Sequence, residues 1–346
     1  MPDVVITGGA GFLGARLARD LLATGGLDVA GDRAQPLGRL TLIDQVPVPA
    51  DLRDDPRVTE VTGDLGGLLD PGAGGPGPHT VRDAIAAAGV IFHLAAAVSA
   101  ECEADFDLGI RANLRATDAL LAACRAAGTA PVLVFSSSLA VFGASADHPL
   151  PAVIGDDTLP NPQTSYGAQK VIGEQLLADY TRKGFLRGRA VRLMTVCVRP
   201  GRANAAASGF MSSIIREPLA GQRATCPVDP GTAVALASPA RTIAGLRRAA
   251  GAADADWGGR SAVTLPALTV TVGEMAAALG RAAGPAATAL IDWAPDPGVA
   301  AIVASWPARV HSERAARLGL VPDPDIGSII QLHLTETHRG APADGQ

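Results

Sequence analysis

Short apolar runs alternate with longer amphipathic stretches over the first 200 residues. Val4-Val5-Ile6, residues 39–44, 58–62 and 90–94, Pro131-Val132-Leu133-Val134-Phe135 and residues 190–198 read as strands buried on both faces. Between them, residues 15–22, 81–88, 110–127 and 164–183 carry apolar positions at helical spacing. This alternation predicts an α/β fold, a doubly wound parallel sheet with helices on both faces and ligands at the C-terminal strand ends. Residues 25–38 and the Gly/Pro-rich residues 70–79 read as surface loops. Further on, Thr271-Val272-Gly273-Glu274 is a capping box opening a helix over 275–283. Ser312 is positioned to cap 313–318, with Gly319 as the stop. The Gly/Pro/Ala-rich tail from about residue 338 is expected to fray.

The first strand runs into Thr7-Gly8-Gly9-Ala10-Gly11-Phe12-Leu13-Gly14 and then into a helical pattern. Strand, glycine turn and helix in that order form a phosphate cradle. Gly8 permits the turn, Gly11 admits a pyrophosphate, and Gly14 brings helix and strand close. Phe12 and Leu13 open the helix whose free N–H groups face the phosphates. Asp44, ending the second long strand, suits the adenine ribose hydroxyls and repels a 2′-phosphate, so NAD is expected rather than NADP. Asp64 and Leu65, after the 58–62 strand, are expected at the adenine, and Ala95 and Ala96 at the cofactor ribose.

The chain has only two tyrosines and two lysines. One of each falls four apart, as Tyr166 and Lys170, on one helix face. An adjacent ammonium favours phenolate, so the Tyr166 pKa is expected below its usual value of about 10, as a general base requires. Ser138, at the end of Ser136-Ser137-Ser138, is placed to bind the substrate oxygen beside it. His93 reads as a packed strand-end residue rather than a base. Arg199 and Arg202 are candidate carboxylate anchors, with strand-end salt bridges as the alternative. Ser99, Asn204 and Ser208 are candidates for hydroxyl binding.

Composition narrows the partners. A charged fraction of 18% and a hydrophobic fraction of 48% describe a globular chain. A net charge of −5 with no basic block argues against nucleic-acid or membrane-surface binding. No apolar run reaches the roughly 18 residues of a membrane span, and the N-terminus lacks a signal-peptide pattern. The four cysteines show no metal-binding spacing and read as reduced thiols, so a cytoplasmic protein without a metal site is expected.

Together these motifs resemble the extended short-chain dehydrogenases/reductases. The resemblance rests on residues 7–14, Gly63-Asp64-Leu65, His93-Leu94-Ala95-Ala96, Asn113, Phe135-Ser136-Ser137-Ser138 with Val141-Phe142-Gly143, and Tyr166-x-x-x-Lys170. It implies an NAD-binding Rossmann domain over 1–200, to which part of 232–262 returns. It also implies a smaller C-terminal α/β substrate domain over 201–337 and a Ser138/Tyr166/Lys170 catalytic set. Lys170 would also bind the nicotinamide ribose, Asn113 would lie near the cofactor, and a homodimer would form through helices 110–127 and 164–183. A narrower resemblance, to sugar-acid dehydrogenases of that family, rests on residues 103–109, Val198-Arg199-Pro200-Gly201, 204–208, 215–221 and 303–309. It implies NAD-dependent oxidation of the 2-hydroxyl of a four-carbon sugar acid to the 2-oxo acid. Met194 stands where proline is expected in the strand before the substrate loop. The competing readings are a nucleotide-sugar epimerase or another reductase of the family, and a non-catalytic dinucleotide sensor.

Overall fold

Val4, Ile6, Leu42, Val90 and Phe92 pack in one apolar layer with Leu17 and Leu246 of flanking helices. The alternate residues Val5, Ile43, Ile91 and Leu133 pack in a second layer with Leu120 and Leu177. A strand whose odd and even residues are both buried belongs to a sheet covered on both faces, which accounts for the continuous apolar runs. The structure, a computed structural model, describes residues 1–70, 81–201 and 208–340.

The central sheet comprises β1 (Asp3–Thr7), β4 (Leu40–Asp44), β5 (Val58–Thr62), β6 (Ala88–His93), β7 (Val132–Ser138), β8 (Arg187–Leu193) and β12 (Val263–Thr264). β2 (Gly26–Val29) and β3 (Asp32–Pro36) form a separate hairpin. The seven central strands are parallel in the order β12-β8-β7-β6-β1-β4-β5. From β1 the chain builds outward to β4 and β5, then crosses to β6 and builds the other way. The crevice between β1 and β6 is therefore the switch point at which such sheets bind ligands.

Several expectations need correction. Residues 25–38 are not an open loop but contain the β2–β3 hairpin. Its tip has Ala30 at φ 48° and Gly31 at φ 100°, and their amides donate to Ala250 and Gly251 of helix Pro239–Gly251. The 110–127 helix opens with a π-turn over Ile110–Arg115 before the α-helix Ala116–Ala127. The strand expected over 190–198 divides at Met194. β8 stays in the central sheet, whereas β9 (Thr195–Val196) joins β11 (Ala233–Ala237) and β13 (Leu268–Thr271). The last helix, Ile326–Gly340, runs past the residue at which fraying was expected. The Gly/Pro-rich residues 71–80 and the tail from 341 lie outside the described residues.

A second core, built on Ile214, Met275, Leu279 and Ile330, joins helices Phe210–Leu219, Val272–Ala283 and Ile326–Gly340 with the small sheets. These include β10 (Ala224–Cys226) paired with β14 (Ile291–Trp293). The Thr271/Glu274 capping box is formed, and Ser312 accepts from the Ala315 amide at 3.0 Å. Helix Pro239–Gly251 packs against the central sheet, and β12 extends that sheet, between segments of this second unit. All four cysteines are buried free thiols. Among the described residues, no helix is long and apolar enough to cross a membrane.

The glycine turn is closed by the Gly11 amide donating to the Gly8 carbonyl at 3.1 Å, with Gly8 at φ 74°. A Cβ on Gly14 would collide with that carbonyl oxygen. Gly14→Ala is therefore expected to destabilise the fold by about 1–3 kcal/mol, as overpacking does. Denaturant unfolding measures this, and a variant as stable as wild type would contradict the close packing of turn and helix.

Candidate active site

Strand β7 ends in three serines, and helix Ser165–Arg182 lies across them. Thr164 caps the helix, its hydroxyl accepting from the Gly167 amide at 3.0 Å. Tyr166, Lys170 and Glu174 are spaced by four and share one face. That face approaches the strand closely because Gly173 sits against the Phe135 ring, where a Cβ would clash.

Each serine meets a different residue of the face. Lys170 Nζ donates to the Ser136 carbonyl at 2.8 Å and lies 4.8 Å from the centre of the Phe135 ring. The Ser137 hydroxyl donates to Glu174 at 2.5 Å. Glu174 also receives the Arg192 guanidinium at 2.9 and 2.7 Å. The Ser138 hydroxyl accepts from the Ala140 amide at 3.1 Å and stands beside the Tyr166 phenol in the wall of the same cleft.

Burial dominates the electrostatics. It lowers the Lys170 pKa to about 8. It raises the Tyr166 pKa to about 12, opposed by the Ser138 hydrogen bond and the positive charge of Arg199. The expectation that Lys170 alone draws the phenol downward is thus corrected. Desolvation outweighs the charges present, and the ammonium is engaged by the Ser136 carbonyl, 5.5 Å from the centre of the Tyr166 ring. His93 is fully buried between Thr7 and Thr117, at 2.7 and 2.9 Å, and burial pushes its pKa down to about 3. It is a neutral packing group, as expected.

A cleft of about 690 Å³ opens above the β1/β6 switch point. Gly8, Gly11, Phe12, Leu13, Gly14, Asp44, Asp64, Leu65, Ala95 and Ala96 all line it, with Ser138, Tyr166 and Lys170. Asp44 accepts from the Ala10 amide at 3.0 Å and the Gln45 amide at 2.7 Å, which fixes its carboxylate at the strand end beside the glycine turn. Asp64 is turned toward its own short helix, accepting from the Gly67 amide at 2.9 Å and from Gln45 Nε2 at 3.2 Å. Asn113 does not line the cleft. Buried in the π-turn, it exchanges two hydrogen bonds with Ala97 at 2.8 and 3.1 Å and donates to Gln169 at 2.7 Å. It braces the cleft wall from behind, through Ala97, and is near the cleft without lining it. The bare glycine turn, the helix start behind it and the acidic strand end fit a dinucleotide, and the volume lies within the range of about 300–1,000 Å³ usual for ligand pockets.

A smaller cavity of about 130 Å³ adjoins the cleft. Ser99, Ser138, Tyr166, Arg199 and Ser208 line it, together with Met194, Gln163 and Trp306. Gln163 was not singled out from the sequence, and Trp306 entered only within the 303–309 resemblance and not as a site residue, because their places depend on how distant loops meet. Arg199 has Nε on the Val196 carbonyl at 3.2 Å and makes no ion pair among the described residues. Burial holds its pKa below the usual guanidinium value. Arg202 and Asn204 lie outside the described residues.

The fold and this cleft define a dinucleotide-dependent oxidoreductase, with Tyr166 and Lys170 among the residues that line the cleft. Residues 4–234 match the NAD dependent epimerase/dehydratase family, and the chain belongs to that family, with NAD as its cofactor. It is 48% identical over 337 residues to a D-erythronate dehydrogenase of Cupriavidus necator, covering 96% of this chain and 98% of the relative. It is 40% identical to a D-erythronate dehydrogenase of Haemophilus influenzae, covering 95% and 97%. Among solved structures, it is similar to a nucleoside-diphosphate-sugar epimerase from Agrobacterium tumefaciens at 39% identity and a TM-score of 0.87, covering 98% and 95%.

With two tyrosines in the chain, phenol ionisation is directly readable. Without cofactor, Tyr166 is expected to titrate near its raised value of about 12. NAD brings a positive nicotinamide ring to the cleft, so cofactor binding is expected to shift one phenolate absorbance step to lower pH. Tyr166→Phe should remove that step. An unchanged titration with NAD bound would contradict the assignment.

Proposed function

We propose that this enzyme oxidises the 2-hydroxyl of a small, D-erythronate-like sugar acid to the 2-oxo acid with NAD. The observation that carries this reading is Arg199. Its guanidinium is unpaired among the described residues and mostly buried, and it stands at the junction of the cofactor cleft and the small cavity, beside Tyr166 and Ser138. Such a group suits a substrate carboxylate, which it binds bidentately. A carboxylate on Arg199 places the adjacent C2 hydroxyl toward the phenol. The likeness to two D-erythronate dehydrogenases over nearly the whole chain supports the same class.

Tyr166 Oη takes the hydroxyl proton, and Ser138 holds the same oxygen in line. Lys170 keeps positive charge near the phenolate while it forms. Arg199 fixes the carboxylate and adds a second positive charge. When bound, NAD supplies the acceptor for the hydride released from C2. Asn113 and Gln169 keep the cleft wall and the reactive helix in register through their mutual hydrogen bond.

An epimerase acting on a nucleoside diphosphate sugar must accommodate a second phosphate pair and a nucleoside beside the cofactor. The adjoining cavity of about 130 Å³ favours a far smaller substrate. The sensor reading leaves Tyr166, the buried Lys170 beside it and the unpaired arginine without a role.

Sugar acids of three to six carbons, offered with NAD, are expected to yield NADH, with the four-carbon acid preferred. Tyr166→Phe should keep NAD affinity and lose about 10²–10⁴-fold in turnover. Arg199→Met should raise KM for the acid about 10–100-fold, the loss of charge-assisted hydrogen bonds of about 1.5–3 kcal/mol. Production of NADH from no acid, or only from a nucleotide sugar, would overturn the reading.

We also propose a homodimer through helices Ala116–Ala127 and Ser165–Arg182. Leu120, Ala123 and Leu177 face the sheet, but Ile172 is 42% exposed and Phe106, on a neighbouring turn, is 61% exposed. An isologous contact would cover both. Light scattering should give twice the chain mass, and Ile172→Glu should shift it toward the mass of one chain. Wild-type enzyme that stays monomeric and active at micromolar concentrations would contradict the dimer.

A further inference from the structure

We infer that Trp306 limits the length of the substrate's carbon chain, a proposal that rests on the sugar-acid reading above. The smaller cavity has two ends. Ser138, Tyr166 and Arg199 also line the cofactor cleft, so they mark the end at which the reacting carbon sits. Trp306, Phe142 and Gln163 line the smaller cavity and not the cleft, and we take their side as its remote end. With the carboxylate on Arg199 and the C2 hydroxyl at Tyr166, the remaining carbons are directed to that remote end.

Trp306 is the largest side chain at this end, in a chain with only three tryptophans. Of the others, Trp257 is buried in the central core and Trp293 is 40% exposed on an edge strand. The backbone that carries Trp306 is fastened from several sides. The Trp306 amide donates to Val303 at 3.1 Å, and the Ser305 carbonyl accepts from Ala144 at 3.3 Å. Just beyond, Thr269 Oγ1 donates to the Ala308 carbonyl at 2.7 Å. Ile154 then bridges the strap, donating to Arg309 at 3.0 Å and accepting from His311 at 2.8 Å. The indole is thus carried on a fastened strap and packs against the second core, not on a free loop. An indole face packs well against the C–H face of a short chain and leaves no room for further carbons. Misfit of one carbon in a shaped pocket costs about 10-fold or more in kcat/KM.

The test compares kcat/KM for four-, five- and six-carbon 2-hydroxy sugar acids in wild type, Trp306→Phe and Trp306→Ala, with NAD binding to each variant as a check of folding. Wild type is expected to favour the four-carbon over the six-carbon acid by about 10-fold or more. Trp306→Ala should reduce that preference to about twofold, with Trp306→Phe between. A second readout does not depend on the alanine variant. In the Tyr166→Phe background, which binds NAD without turnover, the four-carbon acid should change the tryptophan emission, and adding Trp306→Phe to that background should abolish the change. A short-acid preference that survives in the variants, or an emission change that survives the added Trp306→Phe, overturns this proposal alone. Wild-type enzyme that oxidises no 2-hydroxy acid of any length overturns the functional reading and this proposal with it.

Discussion

Three consecutive serines at the end of β7 hold one face of helix Ser165–Arg182, and the chemistry of the site depends on that contact. The Ser136 carbonyl holds Lys170, the Ser137 hydroxyl holds Glu174, and Ser138 stands at the Tyr166 phenol. The rear of the face is pinned by the buried Glu174–Arg192 ion pair, with the Arg192 guanidinium also 4.8 Å from the centre of the Phe142 ring. Two charges desolvated together contribute little net stability over an apolar pair, but breaking one partner costs about 3–5 kcal/mol. Such a pair fixes helix register more than it adds stability. A slip of one residue would turn Tyr166 and Lys170 away from the cleft.

The same contact explains how a phenol and an amine are kept in reserve. Lys170 is buried and Tyr166 half-buried in the cleft wall, so desolvation disfavours the charged form of each, raising Tyr166 and lowering Lys170. The opposing charges arrive with the ligands or stand at the cavity junction, as Arg199 does. Function then follows from how two cavities meet. The cleft over the β1/β6 switch point suits a dinucleotide, the smaller cavity suits a short polar molecule, and only a few side chains belong to both.

Much of this was legible in the chain. The apolar runs gave the parallel sheet because strands buried on both faces cannot alternate. The glycine turn, Asp44 and the Tyr166/Lys170 spacing are local patterns, and each was found lining the cleft. What local pattern could not show was anything set by distant packing. Met194 splits a continuous apolar run because the chain there leaves one sheet for another. Asn113 keeps its place in a family pattern but acts behind the wall, since a π-turn directs it at Ala97 and Gln169. The raised Tyr166 pKa escaped because spacing reports the nearest cation and not the water excluded around it. Trp306 escaped because it lies far along the chain from Tyr166 and reaches the cavity on a strap stapled to the loop after β7.

The central claim, that the bond broken to hydrogen is at C2, is tested most directly with D-erythronate carrying deuterium at C2 alone. Enzyme, this acid and NAD are combined, and the reduced cofactor is examined by NMR. The account predicts deuterium at C4 of the nicotinamide ring and a 2-oxo acid as product. Reduced cofactor that forms without deuterium would show oxidation at another carbon and contradict the account.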